Sequence, residues 1–444
     1  MNLSQLRRAL EVARVRPVKS LGQNFLHDQN LARWIVDQAQ IDAEDFVVEI
    51  GPGLGALTNE ILQRGARLLA LEKDARLVEF LRENFSASNF EVRHCDALEF
   101  DTRALFAERN VKIIGNLPYY IASQLLIRFI EQPNRITLAL LMLQEEMARR
   151  LSAAPRTHDY AALTVRVQLH HRVEYLRKIA NRVFFPQPEV ASAIVRLTPR
   201  AENDSGVFDD ALFQRIVRAG FSQRRKQLRN VLADDIADWE TMADKIGASA
   251  QARAEELSRE QWIALTNYLS PWHQMSPADE AAERFPVVDE NDRKTAEATR
   301  AEVHANNLRH RAVHILVFDS AGEVLLQKRS PRKDRHPLLW DSSAAGHVEG
   351  NEGYDKTAAR ELKEELGVSA KLELIGKLPA SENTGQEFIC VYRAECGGPF
   401  QIPAEEISAV EFFPVDIVER WIANKPEEFA PGFLECWRLA RVAG

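Results

Sequence analysis

Short apolar runs alternate with amphipathic stretches through the first third of the chain. Residues 46–50, 68–71, 90–93, 112–114 and 136–143 are apolar and rich in branched side chains, which predicts buried strands. Between them, residues 31–40, 57–64, 75–84 and 121–131 repeat apolar positions every three or four residues, which predicts helices. Strand–helix alternation of this kind implies an open, doubly wound α/β sheet. The pattern then changes. Residues 209–269 are mostly helix-like with few strand signals, and predict a small helical appendage. Residues 270–285 hold Pro271, Pro277 and a small, acidic stretch, and predict a linker. New strands are expected at 312–318, 324–328 and 387–393, with a helix at 357–366 between the last two. The expected organisation is therefore a sheet domain over 1–205, a helical subdomain over 206–270, a linker over 271–285 and a second α/β domain over 286–444.

The bulk properties narrow the class. A chain of 444 residues exceeds one ordinary core. Its longest apolar run, 136–143, is interrupted by Thr137 and is far too short to span a bilayer. The N-terminal stretch is basic without an apolar centre, so no secretory leader is expected. Cys95, Cys390, Cys396 and Cys436 show no Cys-x-x-Cys spacing, which argues against a disulfide framework or a zinc knuckle and fits the reducing cytoplasm. The net charge of −8 at first argues against a nucleic-acid partner. It is unevenly placed, however: residues 1–272 carry roughly one net positive charge and the remainder roughly nine negative. The first half is free to present a basic face.

Residues 49–55 read Glu-Ile-Gly-Pro-Gly-Leu-Gly directly after a predicted strand. Gly51 and Gly53 let a ligand approach the backbone, because no Cβ intervenes. With Ala56 they fit the dinucleotide fingerprint, which alone is a weak signal. Glu72 ends the next strand, where an acid would accept the ribose hydroxyls, and Asp96 follows the third, placed to meet an adenine amino group. This trio suits NAD and S-adenosylmethionine equally. Asn116-Leu117-Pro118-Tyr119, just after the strand 112–114, distinguishes them. An exocyclic adenine amine is a poor nucleophile because its lone pair is delocalised into the ring. The Asn116 side-chain oxygen and the Leu117 carbonyl can accept its two hydrogens and favour a pyramidal nitrogen. Pro118 fixes the backbone, and Tyr119 offers a face on which the base stacks.

These residues carry a resemblance. Gln23-Asn24-Phe25-Leu26, the glycine loop, Glu72, Asp96, Asn-Leu-Pro-Tyr, Met142-Leu143-Gln144-Glu145-Glu146, Val183-Phe184-Phe185-Pro186-Gln187-Pro188 and Phe221-Ser222-Gln223-Arg224-Arg225-Lys226 stand in the order seen in bacterial small-subunit rRNA adenine dimethyltransferases. The resemblance covers about residues 14–270. It implies a Rossmann-like class I methyltransferase that dimethylates N6 of two adjacent adenines near the 3′ end of 16S rRNA in the small ribosomal subunit. By position it implies S-adenosylmethionine contacts at Asn24, Leu26, Gly51, Gly53, Glu72, Asp96 and Asn116, with Phe184 gripping the target base opposite Tyr119. Arg224, Arg225, Lys226 and Arg229 would contact RNA phosphates. Arg7, Arg8, Arg14, Arg16 and Lys19 form a second basic stretch of less weight.

A second signature occupies residues 346–368: Gly-x5-Glu-x7-Arg-Glu-Leu-x-Glu-Glu-x-Gly-Val. Glu361, Glu364 and Glu365 lie at i, i+3 and i+4 and share one helix face. Three crowded carboxylates repel unless a cation neutralises them, so Mg²⁺ or Mn²⁺ is expected. The string resembles the Nudix box at every fixed position. That resemblance covers about residues 286–440 and implies an α/β/α domain with a mixed sheet that hydrolyses a small diphosphate-containing substrate. By position it makes Glu364 and Glu365 metal ligands, Gly346 a backbone-oxygen ligand, and Glu361 a ligand or the base that activates water. Glu352 would pair with Arg360. The surroundings resemble the branch near isopentenyl-diphosphate isomerase, where His304, His310, His347 and Glu387 would stand at metal-binding positions. That enzyme's essential cysteine falls at Ala345, so hydrolysis is favoured over isomerisation. Two other readings stay open at this point. One is a macrolide-resistance-type methyltransferase acting on large-subunit rRNA. The other is a ribosome-assembly binding protein with a non-catalytic Nudix docking module.

Overall fold

The computed structural model describes residues 3–17, 23–118, 121–130, 133–201, 209–270 and 283–443. The chain divides into two compact units, one holding residues 1–206 and 211–266 and the other the remainder. Of the predicted linker, residues 271–282, with Pro271 and Pro277, lie outside the described residues.

The first unit is built on a seven-stranded sheet of β1 (Phe46–Ile50), β2 (Arg67–Glu72), β3 (Phe90–His94), β4 (Val111–Asn116), β5 (Ile136–Gln144), β6 (His171–Ile179) and β7 (Ser192–Pro199). Their order across the sheet is β3-β2-β1-β4-β5-β7-β6. The first five run parallel, and β7 joins antiparallel between β5 and β6. Successive side chains of a strand face opposite sides. Val48, Ile50, Leu69, Leu71 and Ile113 therefore pack on one face against Leu125, Leu126 and Phe129. Val47, Leu68, Ile114 and Leu140 pack on the other against Ile35, Leu57 and Ile61. Burial on both faces explains why these strands read as continuous apolar runs.

The sequence pattern did not announce β6 and β7. β6 is a sheet-edge strand with much of its length only partly buried, so its apolar signal is weak. Helices occupy Asp210–Phe221, Trp239–Lys245 and Arg259–Leu269, with a single turn at Leu228–Val231. They close over Phe213, Ile216, Val217, Trp262 and Leu265, all fully buried. Gly220 is required here, because a Cβ at that position would lie 2.6 Å from the Trp262 ring.

The second unit begins with a hairpin of β8 (Arg284–Val288) and β9 (Lys294–Thr299). Its main sheet is mixed. It comprises β10 (His310–Phe318), β11 (Val324–Arg329), β12 (Trp340–Asp341), β13 (Ala344–His347), β14 (Glu373–Leu378), β15 (Glu387–Glu395) and β16 (Ile407–Phe413). The path β12-β11-β10-β15-β14 is joined by β13 on β10 and β16 on β11, and only β10 and β15 pair in parallel. The helix Tyr354–Leu366 lays Ala358, Leu362 and Leu366 onto Val313, Ile315 and Val317. It ends at Gly367, whose φ of +70° is a left-handed cap that glycine adopts without a Cβ penalty.

Candidate active sites

The carboxyl ends of β1 to β4 converge on one cavity lined by Asn24, Gly51, Gly53, Glu72, Asp96 and Asn116, with Gln23, Phe25, Leu77 and Pro118 among its other walls. Gly51, Gly53 and Gly55 all have positive φ, at 67°, 57° and 80°. The loop can therefore turn back on itself after β1 and present its amides. A Cβ on Gly55 would also sit 2.5 Å from the Phe85 ring.

Glu72 is almost fully buried. One carboxylate oxygen accepts from the Gly53 amide at 3.1 Å and the other from the Asp74 amide at 2.9 Å. Burial raises its pKa despite these bonds. Asp96 behaves oppositely. Burial pushes its carboxyl up, but the Lys73 ammonium at 2.5 Å and the Leu98 amide outweigh this and hold it below the usual carboxylate range. The Asn116 Nδ2 donates to the Asn24 carbonyl at 3.0 Å. That bond commits the amide nitrogen and leaves Oδ1 as the acceptor. Leu117 is buried and its amide donates to the Met142 carbonyl at 3.1 Å, which ties the turn to β5.

Other predicted residues are placed elsewhere. Leu26 does not line this cavity. It pairs with Phe184 in a short antiparallel bridge, and both side chains lie in the core beneath it, Phe184 with only 2% exposure. Tyr119 lies outside the described residues, as does Lys19. In the basic run, the Arg224 guanidinium donates to the His158 carbonyl at 2.8 Å and meets Glu255 at 3.2 Å, so it braces its own fold. Arg225, Lys226 and Arg229 are exposed.

Glu49, which opens the glycine motif, is buried and accepts from the Thr58 hydroxyl at 2.6 Å. Burial pushes its carboxyl from 4.5 to about 8 against that hydrogen bond. Between those two values the folded state keeps a proton that the unfolded state has released. Stability therefore falls as pH rises through this window, by at most about 1.4 kcal/mol per pH unit, and levels off above it. Glu49→Gln is expected to flatten the slope of Tm against pH between 5 and 8. A variant whose Tm runs parallel to the wild type across that range refutes the assignment.

In the second unit, the Tyr354–Leu366 helix faces β13. A Cβ on Gly346 would lie 2.0 Å from the Glu361 carboxyl carbon, so only glycine fits beneath that carboxylate. Glu365 is buried, and one of its oxygens accepts from the Ala345 amide at 2.9 Å. Burial pushes Glu361 up to about 7 against the neighbouring Arg360, and raises Glu365 well above its ordinary value. Glu364 sits at the exposed edge, bonded by Arg360 at 2.8 Å. Arg360 also donates to Glu352 at 3.2 Å and to the His347 carbonyl at 3.1 Å, which ties the loop to the helix. The sequence pattern missed Glu406, which lies outside the motif. It hydrogen-bonds Glu365 and is held below the usual range, against its own burial, by Lys333 at 2.9 Å.

His304, His310 and His347 bring one ring nitrogen each within 4.8 Å of one another. His310 Nδ1 contacts the Leu308 carbonyl at 2.9 Å and His304 Nδ1 contacts Asp334 at 3.1 Å, so each ring is oriented by an outer partner. Glu387 lies 3.3 Å from His347 and 3.4 Å from His310. Burial holds His347 down at about 4. The buried Nε2 of His304 meets no protein partner among the described residues.

Two family models match the chain: "Ribosomal RNA adenine dimethylase" over residues 16–270 and "NUDIX domain" over residues 308–433. The chain is similar to the ribosomal RNA small subunit methyltransferase A of Halothermothrix orenii, at 40% identity over 276 residues, covering 59% of this chain and 90% of that protein. It is similar to the protein of the same name from Geobacillus thermodenitrificans, at 38% over 266 residues, covering 57% and 91%. A third, from Bacillus mycoides, is 37% identical over 264 residues, covering 56% and 90%.

Proposed function

The chain belongs to the ribosomal RNA adenine dimethylase family, and from that premise we propose that its first unit dimethylates N6 of two adjacent adenines near the 3′ end of 16S rRNA in the small ribosomal subunit. The observation that carries the reading is the convergence of the glycine loop and Asn116 on one cavity. The cavity fits S-adenosylmethionine. Glu72 would accept the ribose hydroxyls, Asp96 the adenine amine, and the positive-φ turn at Gly51 and Gly53 would let the ligand meet bare backbone. When bound, the cofactor supplies an electrophilic methyl group.

The chain's own residues do the rest. Asn116 Oδ1 and the Leu117 carbonyl accept the two amine hydrogens and turn the nitrogen lone pair out of the ring. Pro118 holds that turn. No strong general base is needed, because the nitrogen becomes acidic once methylated. Tyr119 stacks on the base, and Phe184 joins it after its covering side chains shift. Arg225, Lys226 and Arg229 contact phosphates, while Arg224 holds the fold beside them through the His158 carbonyl and Glu255. We assign residues 1–205 to the transferase sheet and 206–270 to an RNA-facing helical part, and place the protein with ribosomes in the cytoplasm. Among the described residues no helix is long and apolar enough to cross a membrane.

Residues 308–433 are a NUDIX domain, fused behind the methyltransferase. We propose that it hydrolyses a small diphosphate-containing compound. Glu361, Glu364, Glu365 and the Gly346 carbonyl would hold Mg²⁺ or Mn²⁺, which would supply Lewis-acid chemistry to the diphosphate. Glu361, with its raised pKa, fits the base that takes the proton of the attacking water. The donors of His304, His310, His347 and Glu387 fit a second divalent cation.

Whole protein incubated with labelled S-adenosylmethionine and undermethylated small subunits tests the first reading. Label in adjacent dimethyladenosines near the 16S 3′ end is expected. Label on large-subunit RNA, or none, overturns it.

A further inference from the structure

The basic stretch that holds Arg7, Arg8, Arg14 and Arg16 has no part in either proposed site. It folds as the helix Leu3–Val12 and a turn behind it, and the helix lies ahead of residue 16, where the match to the dimethylase family begins. Its inner face is apolar. Leu6, Leu10 and Val15 are buried in one cluster with Phe25, Leu54, Leu77 and Phe80. Phe25 and Leu77 also form walls of the cofactor cavity. The segment is therefore anchored on the wall of that cavity.

Its outer face is basic. Residues 3–17 hold four arginines against one carboxylate, Glu11. All four arginines are exposed, and none is ion-paired among the described residues. A face that served only solubility would intersperse both signs. Arg14 turns the chain: its φ is +54°, and the Val15 amide donates back to the Leu10 carbonyl at 2.9 Å. Val15 thereby re-enters the core, while Arg14 and Arg16 stay outside. Arg7 fixes where this face lies. Its guanidinium stands 5.2 Å over the Phe185 ring. Phe185 is the register partner of Phe25, and the carbonyl of the preceding Asn24 accepts from Asn116. The cations thus begin at the strand that carries Phe184, a short chain of contacts from the amine clamp. A guanidinium stacked on a ring is held in place and still offers its N–H edge to a phosphate. A base drawn out of its stack brings its flanking phosphates to the same mouth.

We propose that residues 3–17 form a second RNA contact, in which Arg7, Arg8, Arg14 and Arg16 hold the phosphates of the strand beside the extruded adenine. It is distinct from the contact made by Arg225, Lys226 and Arg229. The identity of the RNA rests on the methyltransferase reading; the phosphate contact does not.

The test measures binding of the full chain to undermethylated small subunits across a salt series, alongside transfer kinetics. R8Q/R16Q removes two exposed cations. R14G removes a third at a left-handed position that glycine favours, so the fold is kept. R64Q/R109Q removes the same charge as the first pair from the turns that precede β2 and β4, at the strand ends opposite the cavity. R8Q/R16Q is expected to weaken subunit binding about tenfold and to make the slope of log affinity on log salt shallower by about 1.4, with R14G giving about half that change. The loss should fall on KM for subunits, with S-adenosylmethionine affinity and Tm unchanged. R64Q/R109Q should alter neither slope nor KM. An unchanged slope in R8Q/R16Q, or an equal loss in R64Q/R109Q, overturns the contact. Subunit binding that depends on Arg8 and Arg16 in a protein that transfers no methyl group to 16S rRNA refutes the methyltransferase reading alone.

Discussion

Asn116→Ala is expected to lower methyl transfer to undermethylated small subunits about a hundred- to a thousandfold, the scale seen when one preorganised polar contact to a developing charge is removed. The reason lies in the bond from its Nδ2 to the Asn24 carbonyl, which leaves Oδ1 oriented as an acceptor before any substrate arrives. Alanine removes the acceptor and the orientation together. Cofactor affinity should fall much less, because Gly51, Gly53, Glu72 and Asp96 remain on the cavity wall. Rates on isolated subunits and S-adenosylmethionine affinity, measured on one preparation, separate the two effects. Subunit binding should survive. A variant that keeps near-normal transfer removes Asn116 from the chemistry. One that loses subunit binding favours a binding protein over an enzyme.

Glu361→Gln is expected to lower diphosphate hydrolysis roughly a hundred- to ten-thousandfold, as for the loss of a positioned base. Its carboxylate is buried against Gly346, and without a cation its pKa stands near 7. The sign follows. Below about pH 7 a cation must displace the proton, so Mg²⁺ affinity in the wild type should tighten as pH rises and level off above that value. Glu361→Gln should weaken that pH dependence, the raised Glu365 carboxylate supplying what remains, and Gly346→Ala should mimic its loss of activity by driving the Glu361 carboxylate out of place. Hydrolysis of a panel of nucleoside and non-nucleoside diphosphates, with Mg²⁺ affinity followed across pH 5.5–8.5, reads both. Unchanged turnover in both variants refutes the placement of the hydrolytic centre.

Both sites were legible in the sequence to unequal depths. The strands β1, β2, β4 and β5 could be read because each is buried on two faces and shows as a largely apolar run, whereas the edge strand β3, with only Val92 buried, was legible from its place in the strand–helix alternation. The partly buried edge strand β6 could not, and β14, only partly covered, was equally silent. The glycine loop and the glutamate helix were visible because their chemistry is local. A tight turn needs its glycines within a few residues, and a helix face gathers carboxylates at i, i+3 and i+4.

Nothing local marks Lys73 as the partner that lowers Asp96, or Glu406 as the neighbour of Glu365, because these pairs meet only across the fold. The same holds for Arg224. In the sequence it is one of several basic residues, and in the fold it is turned inward onto the His158 carbonyl. Phe184 reads as an aromatic beside the amine clamp, yet it is buried under Leu26.

The sequence by itself therefore determined the two domain families and the motifs proposed to carry their chemistry, since periodicity and motif spacing are properties of neighbours along the chain. Which acids are paired with cations and which histidines converge were decided only by tertiary structure. Burial and charge pairing act through distances that chain position does not record.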